Sequence, residues 1–169
     1  MKVFGFAWGI GGVLLMLVFA IYRLAPIALD LEHLPMNQGH WAALIFSVVY
    51  MAYAEGYKGF HLGFSPRVVI RASYLRDHPR LDHILLAPLF CMSYIYATRK
   101  RKMISFGLTT MIICFVLIAR RLPQPWRGII DAGVVVGLGI GVVSILYFIV
   151  VEIKNPELIK TSPEVPGEV

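Results

Sequence analysis

Glu55 and Lys58 stand inside an otherwise apolar stretch and are the first residues of this sequence whose types could do chemistry. An ionisable side chain within a membrane span is costly, and its default readings are a pairing partner, a proton relay or an ion pathway. A carboxylate and an ammonium three residues apart share one face of an α-helix. The pair therefore reads as a local ion pair whose heads reach toward the headgroups, as a contact to a neighbouring helix or subunit, or as part of a pathway. A relay needs further acidic or histidine groups at depth, and Asp131 is the candidate. Asp131 also falls in the first turns of the last apolar block, where the positive end of a helix dipole favours an anion.

The histidines are His33, His40, His61, His78 and His83. Along a helix His40 and His61 are about 31 Å apart and cannot share a metal. His61 and His83 flank successive apolar blocks, so they are the weak haem candidates, as two axial ligands on separate helices. Nothing else marks a haem pocket, and the expectation is no cofactor and no metal. Cys91 and Cys114 lie inside apolar blocks without CxxC spacing and read as packing residues. There is no HExxH, GxSxG, P-loop or Gly-rich dinucleotide turn, so no catalytic residue is assigned and an enzyme is not expected. Gly133, Gly137 and Gly141 recur every four residues on one face of the last apolar block, which lets another backbone approach closely. Gly5 and Gly9 repeat that spacing once.

The elements that would position these residues follow from composition. Hydrophobic residues make up 58% of the 169, charged residues only 15%, and mean hydropathy is +0.72, against roughly 45–50% apolar and about 25% charged for soluble domains. The apolar residues form long blocks of the kind a bilayer core requires. Spans are expected at 3–22, 41–60, 103–119 and 129–151. The first is too long for a signal-peptide core and reads as uncleaved. Ser65-Pro66 has the form of a helix start, and 66–78 places apolar residues against Arg67, Arg71 and Arg76 as in an amphipathic helix on a membrane surface. The polar stretch 152–169, with Pro156, Pro163 and Pro166, reads as a mobile tail.

Segment 84–97 is short for a crossing and contains Pro88. If it crosses, the 16 basic residues of the chain, Lys58 set aside, divide 8 against 7 and give no orientation. If it dips in and returns, they divide 11 against 4, with the larger number on the side of the N-terminus. The second division obeys the positive-inside tendency and puts Trp41 and Trp126 at the same outer boundary. The expected fold is therefore an all-α integral membrane protein, a bundle of four transmembrane helices plus a re-entrant or interfacial segment, with five helices as the alternative. Small size and basic loops suggest a bacterial inner membrane with the N-terminus cytoplasmic.

The net charge of +6 belongs to topology and anionic headgroups and not to nucleic acid, because no ordered reading motif accompanies it. The partners expected are the lipid bilayer and a membrane protein partner or further copies of the chain. The leading functional expectation is a non-enzymatic accessory or assembly subunit acting through helix packing. A transporter or channel using Glu55 and Lys58, and a haem- or quinone-binding subunit, are the alternatives.

Overall fold

The computed structural model describes residues 2–78, 80–159 and 161–165. Lys160 and 166–169, part of the expected tail, lie outside the described residues. Those described form helices and connecting segments without strands: α1 (Lys2–Leu29), α2 (Gln38–Met51), a π-helix (Ala52–Phe64), α3 (Ser65–Asp77), α4 (Leu81–Leu85), α5 (Ala87–Cys91), α6 (Arg99–Ala119) and α7 (Trp126–Lys154). Three helical stretches are long and apolar enough to cross a membrane, namely Val3–His33, Arg99–Ala119 and Trp126–Lys154.

α2 starts where Asn37 caps it. The His40 N–H donates to Asn37 Oδ1 at 2.8 Å, and the Asn37 N–H donates back to His40 Nδ1 at 3.4 Å, a reciprocal cap that satisfies two end donors. From Gln38 to Asp77 the chain then runs as one continuous helix through α2, the π-helix and α3. Ser65-Pro66 thus lies within a helix and does not begin one. A proline there lacks its N–H and crowds the carbonyl four residues back, and the wider π register runs up to this point, with the Ser65 N–H reaching Phe60 O.

α1 runs antiparallel to α7, and the long helix runs parallel to α7. At one end Leu31 lies against Gly128, and the rings of His40 and Trp126 meet edge-on at 5.2 Å. At the other end Ser73 and Arg76 of α3 reach Glu152 of α7. α3 does not lie flat on a surface. Val68, Val69, Ala72 and Leu75 are fully buried, because that apolar stripe faces α1, α5 and α7.

Segment 84–97 breaks into the short α4 and α5 and an irregular stretch, so it forms no membrane-length helix. It packs along α1, whose glycines make the space. A Cβ on Gly9 would stand 2.7 Å from Cys91 Sγ, and one on Gly12 would stand 2.3 Å from Pro88 Cγ. Burial pushes the Cys91 thiol up to about 12, so it remains protonated in its packing role. α6, by contrast, stands off the bundle. It is tied at its N-terminal half by Ser105 Oγ donating to Met92 O at 3.2 Å and by a hydroxyl bond between Tyr94 and Thr109. Beyond those ties Ile112, Ile113, Phe115 and Leu117 are exposed.

Arg71 closes the α3 end. It is 1% exposed and pairs with no carboxylate. Its Nε donates to Phe90 O at 2.6 Å, Nη1 to Pro163 O at 2.5 Å, and Nη2 to Ile95 O and Tyr96 O at 2.9 Å each. Its guanidinium also lies 4.4 Å from the centre of the Phe90 ring, a cation–π contact. Residues 161–165, expected to be mobile, are drawn onto the bundle by this contact, and Val165 is fully buried. Ser93 (φ 66°), Tyr96 (φ 48°) and Glu164 (φ 50°) occupy the left-handed region, a strain that persists only where the surroundings over-determine the backbone. All three lie on the segments that Arg71 gathers.

Replacing Arg71 by Met leaves four carbonyls without their donor, at a cost of about 3–5 kcal/mol. The Arg71→Met variant is expected to lose more than about 5 °C of thermal midpoint in detergent, with Arg71→Lys falling between it and the parent. An unchanged midpoint for Arg71→Met would show that the hub is dispensable.

Candidate functional site

The groups with chemical potential meet along one seam, where the long helix lies on α7. Gly133, Gly137 and Gly141 are all buried on that face. The point a Cβ on Gly133 would occupy is 2.5 Å from Ser47 Oγ, that of Gly137 is 3.0 Å from Glu55 Oε2, and that of Gly141 is 2.7 Å from the Phe60 ring. Gly56 returns the contact from the π-helix, with its own missing Cβ 2.7 Å from Ile140 Cδ1. Backbones this close leave room for one polar side chain at a time.

Glu55 fills the space opposite Gly137, and its Oε2 is buried without a hydrogen-bond partner. An orphaned buried acceptor is expensive and calls for a reason. Lys58 does not supply one. It is exposed, and its ammonium lies 4.9 Å from the centre of the Tyr53 ring, five residues back. The expectation that Glu55 and Lys58 share a face assumed an α-helix. In the wider π register, with its i→i+5 hydrogen bonds, residues three apart no longer share a face, while those four apart still stack, as Tyr53–Tyr57 and Tyr57–His61 do, so the two heads diverge.

Further polar groups continue the seam in both directions from Glu55. Toward the α7 N-terminus, Ser47 Oγ donates to Ile129 O at 3.0 Å; Asp131, 6% exposed, lies off the glycine face of α7, 3.7 Å from Arg127 Nε one turn before it. Asp131 Oδ2 also has no hydrogen-bond partner. Toward the C-terminus, His61 Nδ1 and Ser144 Oγ are 2.7 Å apart, with Tyr147 and Phe148 around the imidazole at 5.8 and 5.3 Å. Beyond them Ser73 donates to Glu152 Oε1 at 2.5 Å, with Arg76 Nη2 at 3.8 Å from the same oxygen. From Asp131 to Glu152 the axial distance is about 31 Å, close to the thickness of a bilayer core.

His61 and His83 are held by different residues. His83 is buried between Asp82, Phe90 and Tyr96, and burial lowers its pKa. Among the described residues no group of three metal-ligating side chains forms. The roles of Ser47, Ser144 and Glu152 escaped the sequence reading. The four-residue glycine spacing pointed at the right face of α7, and Ser144, three residues after Gly141, lies on the same face.

Comparison of the chain with family models, with curated proteins and with solved structures returns no match.

The close approach at Gly137 is open to a direct check. Gly137→Val is expected to displace the Glu55 side chain and destabilise the folded chain by about 1–3 kcal/mol through overpacking. Gly139→Val, where nothing stands within 4 Å of the missing Cβ, is expected to be neutral. Equal denaturation midpoints for the two variants would contradict the seam.

Proposed function

We propose that the chain is a non-enzymatic four-span membrane protein that passes protons along the seam between its long helix and α7, with Glu55 as the central carrier. The spans in this reading are α1, α2 with its π-helix, α6 and α7, both ends of the chain lie on the cytoplasmic side of a bacterial inner membrane, and α4 and α5 stay on that side. The basic residues support the orientation, since Arg99 to Lys102 then join Lys2 and the arginines of α3. His40, Trp41 and Trp126 form the opposite boundary.

The observation that carries the reading is the buried, partnerless Oε2 of Glu55 in a π-helix. π turns inside helices are frequent at functional sites, and intramembrane carboxylates mark pathways. Protons suit this seam better than a metal cation does, because a cation such as calcium takes six to eight oxygen ligands at once. Here Glu55, His61 and Glu152 stand about 10–12 Å apart along α7, one titratable group per step. Transfer between them requires water or side-chain motion, and the glycines provide the space for either.

A second reading, that of an accessory subunit or homo-oligomer, rests on a separate observation. α6 has little packing against its own bundle and leaves its apolar faces to lipid or to another protein. The two readings are compatible, since a conducting seam can serve a larger assembly.

The test is proton uptake into liposomes carrying the purified protein and an internal pH dye, driven by a potassium diffusion potential. The parent chain is expected to conduct above empty liposomes, Glu55→Gln to fall at least about tenfold, and Lys58→Gln to stay near the parent rate. Conduction by the parent no greater than that of empty liposomes, or an undiminished rate in Glu55→Gln, removes the proposal.

A further inference from the structure

The α3 end of the bundle holds more positive charge than its own carboxylates neutralise among the described residues. Arg71 commits its donors to main-chain carbonyls. Arg101, on the first turn of α6, lies 3.3 Å from Glu164 with 14% of its side chain exposed, yet neither Arg101 Nε nor Glu164 Oε2 completes a hydrogen bond. Arg67, one turn before Arg71, is half-buried. Its Nη2 lies 3.5 Å from the point a Cβ on Gly63 would occupy, and among the described residues no hydrogen bond or ion pair holds its guanidinium. Arg101 and Glu164 are both close enough to act on the charge of Arg67 and of Arg71. Among the described residues, three guanidinium groups thus face a single carboxylate that only partly engages one of them.

Buried cations need counter-charges, and the planar fork of arginine matches the oxygens of a phosphate. The first turn of α6 adds to the same field. Thr98 caps it by accepting from the Arg101 N–H at 3.4 Å, while the other first-turn N–H groups have no partner within the helix and the helix dipole favours an anion there. Glu164 is held at this place by its backbone, its carbonyl accepting from the Thr98 N–H at 3.1 Å.

We propose that Arg67 and Arg101 bind a phosphate group where α3, the start of α6 and residues 161–165 meet, and that Glu164 competes with that phosphate for Arg101. The phosphate belongs either to an anionic lipid headgroup or to a free phosphorylated molecule, and its binding is measurable without proton movement through the seam. Binding displaces the Glu164 carboxylate and loosens one of the two ties that hold 161–165 to α6.

The full chain, stripped of lipid in detergent, is titrated with inorganic phosphate and separately with short-chain phosphatidylglycerol, at matched ionic strength in chloride, with the thermal midpoint as readout. Saturable stabilisation by phosphate points to a free ligand, and saturation by phosphatidylglycerol alone points to a headgroup. Arg67→Gln and Arg101→Gln are each expected to raise the apparent Kd about tenfold or more, and Glu164→Gln to lower it about threefold or more. Lys100→Gln, on the exposed part of the same basic run, is expected to leave it unchanged. If Arg67→Gln does not fold, Arg67→Lys keeps the charge and loses the fork, and weaker binding is still expected. No saturable response to either titrant, or parent affinity in the Arg67 and Arg101 variants, overturns the site. Parent affinity in Glu164→Gln overturns the competition.

Discussion

A single buried guanidinium organises one end of this protein. Desolvating an arginine costs several kcal/mol, and burial lowers the Arg71 pKa to about 10, so at neutral pH the group keeps its charge. What offsets the cost is a set of carbonyl dipoles from Phe90, Ile95, Tyr96 and Pro163. Those residues belong to α5, to the irregular stretch after it and to the segment after α7, which share no regular hydrogen-bonding of their own. Segment 84–97 can therefore fold back beside α1 with its buried carbonyls satisfied, as buried backbone polar groups must be. The strained φ values of Ser93, Tyr96 and Glu164 are the local cost of aiming those segments at one side chain.

The seam works by a different balance. Close backbone approach at Gly133, Gly137 and Gly141 gains dispersion contact that membrane helices otherwise lack as a driving force. The same closeness squeezes out any side chain that would satisfy Glu55. The π register fits this geometry for a physical reason: it rotates Lys58 away, toward Tyr53, and leaves the carboxylate alone against α7. The packing that stabilises the bundle and the unsatisfied acceptor of Glu55 thus arise from the same contact.

Much of this was legible in the sequence, and the remainder was hidden for identifiable reasons. Apolar length marked α1, α6 and α7, because a bilayer core sets a minimum that composition alone can meet. That 84–97 forms no membrane-length helix was legible in its length and in Pro88, though not its packing against Gly9 and Gly12, which depends on partners some eighty residues away. Spacing rules placed Glu55 and Lys58 on one face because they presuppose a 3.6-residue turn, and nothing local in Ala52–Phe64 signals another register. The amphipathic pattern of 66–78 was real, but periodicity does not say whether an apolar stripe meets lipid or helices. Arg71, counted as one of several headgroup cations, is the clearest case, since a buried arginine and a surface arginine look alike until their distant acceptors are known.

Glu55 and Arg67 lie on the same continuous helix, and Arg67 folds back onto Gly63, in the last turn of the π-helix. A π-helix has poorer support than an α-helix of the same length, and Pro66 already removes one of the bonds that would otherwise fix its end. A phosphate that pulled on the Arg67 guanidinium would load the least supported stretch of the helix, the stretch that carries Glu55 and His61. Two-site coupling needs an element with two discrete arrangements that both sites bias. The boundary between π and α register in 52–66 is the element of this fold best suited to that part, because shifting it by one residue would rotate Glu55 relative to Gly137 while leaving α7 in place.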